Sequence, residues 1–394
     1  MRILILSHMY PRLHNPVGGI FVHEQVRALR TQGIDARVAT GGPCWLQTLN
    51  PWRIAAALRA YRAQQPAWAT WDTVPVIEFT YLCGFLFRPT IHSLTYVHGF
   101  RRVMARLRKE FPFDLVHAHT SFLDGAAGLL AARAYGCPLL ITEHTGPFDL
   151  LTRNAFMRYR TRRSVIGASR VLAVSSSLRQ TMLAQLALSP DCIDVLPNGV
   201  DPSVFCPDAN QPHASEVIRV LWVGHYVEVK RVDYLVRAFA RALRSRPRLR
   251  LSLLGDGPDR GKISALVADL GLTAQVEFLP ATDRAGVARA MRAHNFVAVS
   301  SATETFSLVT LEALACGVPV LSTACGGPQD LIVHPWLGSI VSNDLEGLTS
   351  GLVDMADRAG SDDAAKLHAY VRDRFSWDAI AGRLIETYRG LCAS

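Results

Sequence analysis

Lysine is scarce in this chain: four residues (109, 230, 262 and 366) stand against 38 arginines among 394 residues. A lysine inside a motif therefore merits weight. The eight cysteines (44, 83, 137, 192, 206, 316, 325 and 392) include no Cys-x-x-Cys pair. That argues against a zinc ribbon or a disulfide framework and fits a reducing compartment. No apolar run reaches the ~18–20 residues that span a bilayer. The longest candidate, 81–87, is closed by Arg88-Pro89. The start, 1–7, has one basic residue and too short an apolar core for a secretory signal, so a cytoplasmic location is expected. Two phosphate-binding signatures are also missing. Gly18-Gly19 does not make Gly-x-Gly-x-x-Gly, and Gly255 to Gly261-Lys262 has one residue too many for a P-loop, with Ile263 after it.

Apolar residues make up 49% of the chain and charged residues 19%, enough to bury large cores. Residues 1–200 hold 22 Lys+Arg against 11 Asp+Glu, whereas 201–394 hold 20 against 22. A basic first half suggests an anionic partner. No nucleic-acid-binding motif accompanies it.

Strand and helix signals alternate in both halves, which indicates parallel βαβ units. In the first half the strands read as 2–7, 35–40, 115–119, 138–142 and 170–175. In the second they read as 219–223, 249–254, 275–278, 296–300 and 318–322. The proline-rich interval 190–216 reads as the linker between them. Two doubly wound sheets of similar size would bind ligands beyond the carboxyl ends of their strands, with the active site in the cleft they face.

The most informative stretch is 304–312. Ser307 can cap a helix with Leu308, Leu311 and Leu314 on its apolar face, and Gly317 and Pro319 end it. The free amides and positive dipole at such a helix start suit a phosphate. Glu304 precedes the helix and Glu312 lies on its second turn, so the two carboxylates can hold hydroxyls on either side of that phosphate. A capped surface helix with a solvated Glu312 is the plain alternative. His117-x-His119, at a strand end, could open a metal site, but supporting ligands are not evident and no metal is expected.

Two glutamates eight apart, in the frame Glu-x-Phe-x-Leu-Val-x-Leu-Glu-Ala followed by Ala-Cys-Gly-Val-Pro-Val, resemble the donor-binding motif of retaining GT-B glycosyltransferases. The wider resemblance is to glycosyltransferase family 4, the glycosyl transferases group 1. It covers essentially the whole chain: 2–7 with Gly18-Gly19, Pro197-Asn198-Gly199-Val200-Asp201, Gly224 through Lys230, Gly255-Asp256-Gly257-Pro258 and the glutamate pair follow in family order. The resemblance implies a GT-B fold of two Rossmann-like domains. Residues 1–195 would bind the acceptor, 196–375 the nucleotide sugar, and helix 376–394 would pack back on the first domain. Glu312 would hold the ribose, Glu304 the transferred sugar, and the amides of Phe306, Ser307, Leu308 and Val309 the distal phosphate. Lys230 would neutralise the departing diphosphate. The family usually has arginine where this chain has His225, which weakens the usual arginine–lysine clamp; Arg231 could compensate.

In the first half, Gly18 and Gly19 would approach the donor phosphates or acceptor, or simply turn into the helix. His119 would contact the reacting region of the sugar, with His117 on the same face as a core residue. Glu143 and His144 are weaker, acceptor-side candidates, and Gly255 flanks the base or makes a turn.

The implied reaction is transfer of a hexose-type sugar from a UDP- or GDP-linked donor to a glycan or lipid-linked acceptor, with retention of configuration. The leaving phosphate would help deprotonate the acceptor, with no protein nucleophile and no cofactor. Basic clusters at 101–109 and 158–163 could rest on anionic lipid. The alternatives are an epimerase or phosphorylase on the same fold and a non-catalytic nucleotide-sugar-binding subunit.

Overall fold

The computed structural model describes residues 1–13, 15, 17–46, 50–63, 66–84, 88–208, 216–360 and 363–393. Residues 85–87 of the longest apolar run, 209–215 of the expected linker and 394 of the last helix lie outside the described residues. The chain divides into two compact units. Unit 1 comprises Met1–Val174, Leu178–Pro197 and the chain from Ile380 on; unit 2 comprises Ser175–Ser177 and Asn198–Ala379.

The elements of the first half are β1 (Arg2–Leu6), α1 (Ile20–Thr31), β2 (Asp35–Leu46), α2 (Pro51–Ala63), β3 (Trp68–Trp71) and β4 (Val74–Gly84). After them come α3 (His92–Glu110), β5 (Leu115–Ala118), α4 (Asp124–Tyr135), β6 (Leu139–Glu143), α5 (Ala155–Gly167), β7 (Arg170–Ala173), α6 (Ser176–Leu186) and β8 (Asp194–Val195). Their strands form one sheet of order β3-β4-β2-β1-β5-β6-β7-β8. Among the described residues, only β3, which pairs antiparallel with β4, departs from the parallel pattern.

The second half continues with β9 (Ile218–His225), α7 (Val232–Ala242), β10 (Leu249–Asp256), α8 (Arg260–Asp269), β11 (Val276–Leu279), α9 (Arg284–Arg292) and β12 (Phe296–Val299). Then follow α10 (Leu308–Ala315), β13 (Val320–Thr323), α11 (Pro328–Leu331), β14 (Gly338–Val341), α12 (Leu345–Asp357), α13 (Ala364–Phe375) and α14 (Trp377–Ala393). The unit 2 sheet is wholly parallel, in the order β11-β10-β9-β12-β13-β14. Its central strands are apolar on both faces because helices cover both. Trp222, Leu253 and Phe296 of the sheet pack with Leu235 and Phe239 of α7 and Leu352 of α12.

The connections reverse direction where β1 lies between β2 and β5, and where β9 lies between β10 and β12. Those are the topological switch points, where loops splay apart and leave a crevice. The last helix belongs largely to unit 1: Tyr388 is fully buried there, and its hydroxyl lies 2.7 Å from His117 Nδ1. Among the described residues, no helix is long and apolar enough to cross a membrane.

Candidate donor site and the histidine edge

At the switch point of unit 2, β9 leads into a short 3-10 turn, Glu228–Lys230, and β12 leads into the loop before α10. These two connections bring together residues 74 apart in sequence. Lys230 Nζ donates to Glu304 Oε1 at 2.6 Å, and Ser301 Oγ donates to the same oxygen at 2.7 Å. The lysine side chain is 29% exposed and the glutamate 13%, so the pair is reachable but poorly hydrated. A charge pair in such surroundings interacts more strongly than a surface pair.

The backbone is fixed on both sides. Ser300 Oγ donates to the Lys230 carbonyl and Ala302 N to that of Val229. Glu304 N donates to the Cys325 carbonyl, and Gly327 N to that of Glu304.

Ser307 caps α10 as its sequence suggests. It sits in the left-handed region, φ 74°, and its Oγ accepts from Thr310 N at 3.4 Å. Phe306 is buried beside it, whereas Leu308 and Val309 are only partly covered. Glu312, on the second turn, is partly buried rather than solvated. Loss of water pushes its carboxyl up to about 7, and the positive charge of Arg284 works against that rise. Arg284, at the start of α9, also stacks over Phe205 with its guanidinium carbon 5.2 Å from the ring centroid. Sequence reasoning missed Arg284 and Ser301, because no local motif ties them to positions 312 and 304.

His225 ends β9 and is exposed. The Arg231 guanidinium is tied to Asn343, with Nη1 donating to the side-chain oxygen at 3.1 Å, and it stacks over Tyr234. Gly255, φ +140°, lies so close to the Gly224 carbonyl that a β-carbon would collide with it. That contact accounts for this glycine through strand packing.

Unit 1 gathers its candidates at the carboxyl edge of its own sheet. Gly19, φ +69°, starts α1, and a β-carbon there would strike the Met9 carbonyl. Gly18 N donates to Asn15 Oδ1 at 3.0 Å. His117 and His119 do share a face, with ring centroids 4.3 Å apart. His117 is held on both sides, by the Tyr388 hydroxyl and by Thr142 Oγ1, each at 2.7 Å. Burial, with His144 nearby, pushes its imidazole down to about 3. His119 Nδ1 lies 3.0 Å from His144 Nε2, and the two rings stack. Burial first, then the neighbouring histidines, holds both well below the ordinary imidazole range. His119 Nε2 and His144 Nδ1 are buried and have no hydrogen-bond partner among the described residues. Glu143 is fully buried and engaged within the chain: it accepts from Ser121 N and Oγ, from His144 N at 3.0 Å and from Thr145 N at 2.9 Å. That set makes it a clasp for the loops after β5 and β6.

Comparison with known proteins gives this geometry a family. The profile of glycosyl transferases group 1 matches residues 208–346, and that of glycosyltransferase family 4 matches 18–204. A D-inositol 3-phosphate glycosyltransferase of Rhodococcus erythropolis is 32% identical over 324 residues, covering 75% of this chain and 71% of the relative. This chain belongs to the group 1 glycosyltransferases.

A second protein of that name, from Pseudarthrobacter chlorophenolicus, is 30% identical over 317 residues, covering 74% of this chain and 75% of the relative. The fold is that of the GT-B glycosyltransferases. Sucrose-phosphate synthase from Thermosynechococcus elongatus superposes with a TM-score of 0.73 at 22% identity, over 100% of this chain and 99% of that one. An Anabaena protein solved with UDP and glucose gives 0.70 at 20% identity, over 99% of this chain and 100% of that one.

Proposed function

We propose that this glycosyltransferase moves a hexose-type sugar from a nucleoside-diphosphate sugar to a glycan or lipid-linked acceptor, with retention of anomeric configuration and without a metal. The observation that carries this reading is the Lys230–Glu304 pair at the unit 2 switch point, one loop ahead of the capped start of α10. A diphosphate leaving group develops negative charge as the sugar departs. An ammonium and a helix start already facing the diphosphate when the sugar departs would stabilise that charge. When the donor binds, Lys230 would turn to the diphosphate and release Glu304 to the sugar hydroxyls. Glu312, four residues into α10 and so about 6 Å along its axis from Leu308 at ~1.5 Å per residue, would hold the ribose. With His225 exposed and Arg231 bound to Asn343, most of the charge work would fall to Lys230.

The relatives named for D-inositol 3-phosphate make a phosphorylated polyol a sensible acceptor to test beside glycans. UDP-glucose and GDP-mannose would be incubated with such acceptors, and the one-bond carbon–proton coupling at the anomeric centre of the product read by NMR. An α-linked product from an α-linked donor is expected. A β-linked product would contradict retention.

The basic surface of unit 1 supports peripheral contact with anionic lipid. On α5, Phe156, Tyr159, Arg163 and Ile166 form one exposed ridge, flanked by exposed Arg158 and Arg162. The α3 cluster is more engaged internally, since Arg102 donates to the carbonyls of Tyr61 and Arg62 and Arg106 pairs with Glu110. Sedimentation with phosphatidylglycerol vesicles should capture the protein at low salt and release it at high salt. Arg158→Glu with Arg163→Glu should abolish capture. Equal binding to neutral phosphatidylcholine vesicles would contradict the lipid contact.

A further inference from the structure

The amino-terminal end of the unit 1 sheet holds a cavity of about 1150 Å³. Asp114, Pro138 and Ser169, which stand directly before β5, β6 and β7, all line it. The crevice at the switch point lies at the carboxyl ends of these strands, so the cavity is a separate place on unit 1. Its whole lining belongs to that unit, including the wall that α14 supplies from Arg389 on. The space exceeds the ~300–1,000 Å³ that small-molecule sites usually offer.

Charge on the lining is lopsided. Three arginines, Arg108, Arg133 and Arg389, stand against one acid, Asp114. That acid is already engaged outside the cavity, since it accepts from Arg2 N at 2.7 Å and from Arg2 Nη2 at 3.1 Å. Arg133 and Arg389 are exposed, and neither side chain forms a hydrogen bond or ion pair among the described residues. Arg108 is held in place. Its guanidinium carbon lies 4.8 Å from the ring centroid of Phe113 and 5.3 Å from that of Tyr135, and Nη1 donates to the Phe113 carbonyl. Its Nε and Nη2 have no partner among the described residues. Buried Phe113, Leu129 and Leu139 give the same cavity an apolar floor.

We propose that this cavity is a binding site for a phosphate monoester, distinct from the donor site of unit 2. Guanidinium groups meet phosphate oxygens with paired N–H donors, and a guanidinium already fixed by stacking loses little freedom in doing so. Even with Asp114 counted, the three arginines leave two net positive charges on the lining. A phosphate monoester carries about −1.5 to −2 near neutral pH and balances them. The proposal does not depend on the sugar-transfer reading.

Such a group is found on soluble esters and on the headgroup of phosphatidic acid. The arginines serve both alike, whereas the apolar floor adds contact area only for a ligand with acyl chains. Two probes therefore separate the sources: glycerol 3-phosphate, and dioctanoyl phosphatidic acid kept below its micelle concentration. Dioctanoylglycerol, which lacks the phosphate, is the control.

The test is calorimetry on the full chain with these three compounds. Arg133→Glu with Arg389→Glu should weaken binding of the phosphate probes by about 100-fold or more, and Arg133→Gln alone by about tenfold. Both residues are exposed, so these variants should melt as the wild type does. Arg158→Glu with Arg163→Glu on α5, and Lys230→Ala in unit 2, should leave the affinity unchanged, which separates the cavity from the basic ridge and from the donor site. Equal affinity for the two phosphate probes would assign the site to a soluble ester, and a clear preference for phosphatidic acid would assign it to a lipid headgroup. Undiminished binding in the double glutamate variant, loss of binding in Lys230→Ala, equal binding of dioctanoylglycerol, or a wild type that binds neither phosphate probe would each overturn the proposal.

Discussion

Lys230→Ala is expected to lower kcat by about 10³-fold, the scale seen when one preorganised charge-stabilising group is removed from a transition state. The loss should exceed the loss in donor affinity, because the charge on the diphosphate grows as the sugar departs. Two features sharpen the expectation. His225 is exposed at the end of β9, and Arg231 is anchored on Asn343. The substitution also strips Glu304 of its counter-ion, leaving Ser301 as the donor to Oε1. Lys230→Arg should recover part of the rate, since charge is restored but the 2.6 Å point contact is not. Steady-state kinetics with calorimetric UDP affinities checks this. A Lys230→Ala enzyme with wild-type kcat would remove Lys230 from the chemistry.

The second large effect is a pH dependence of donor binding. Burial places the Glu312 carboxyl at about 7. If Glu312 holds the ribose as proposed, two hydroxyls would donate to its ionised form, so binding would release the proton wherever the free site holds one. UDP-glucose affinity should then be flat above pH 8 and fall about tenfold per pH unit well below 7. Glu312→Gln should flatten the profile and weaken binding at pH 8 by about 10–100-fold, the worth of a hydrogen bond to a charged group. The same carboxyl has a sign for folding. Its folded value lies above the ordinary 4.5, so the associated stability is present at low pH and is lost as pH rises through about 7. Glu312→Gln should accordingly melt higher than the wild type at pH 8. A pH-independent affinity in the wild type would mean that Glu312 does not meet the donor.

Much of this arrangement was legible because it is local. The apolar strand runs, the Ser307 cap and the glycine and proline that end α10 follow from neighbours in sequence. The region from 41 to 114 was not legible in that way. Gly41-Gly42-Pro43 reads as a break, yet β2 continues through it to Leu46 in register with β4. The reason is tertiary: the Tyr96 ring occupies the space that a side chain at Gly41 would need, and the Glu78 carboxylate does the same at Gly42.

The site shows the same division. Spacing suggested Glu304 and Glu312, and the family resemblance suggested Lys230, but neither showed that Lys230 and Glu304 meet. The sequence offered Glu143 as an acceptor contact, because four converging donors cannot be read from one residue type. It passed over Ser301 and Arg284, whose contacts with Glu304 and Glu312 depend on how the loops after β11 and β12 are placed.

On this reading unit 2 holds a nucleoside diphosphate through Lys230 and Glu312. Calorimetry with UDP, GDP and ADP at pH 8 tests it most directly, with Lys230→Ala and Glu312→Ala measured beside the wild type. One nucleotide should bind clearly better than the other two, and each substitution should weaken it at least tenfold. A folded wild type that binds none of the three, or binds one equally well in both variants, would contradict the account.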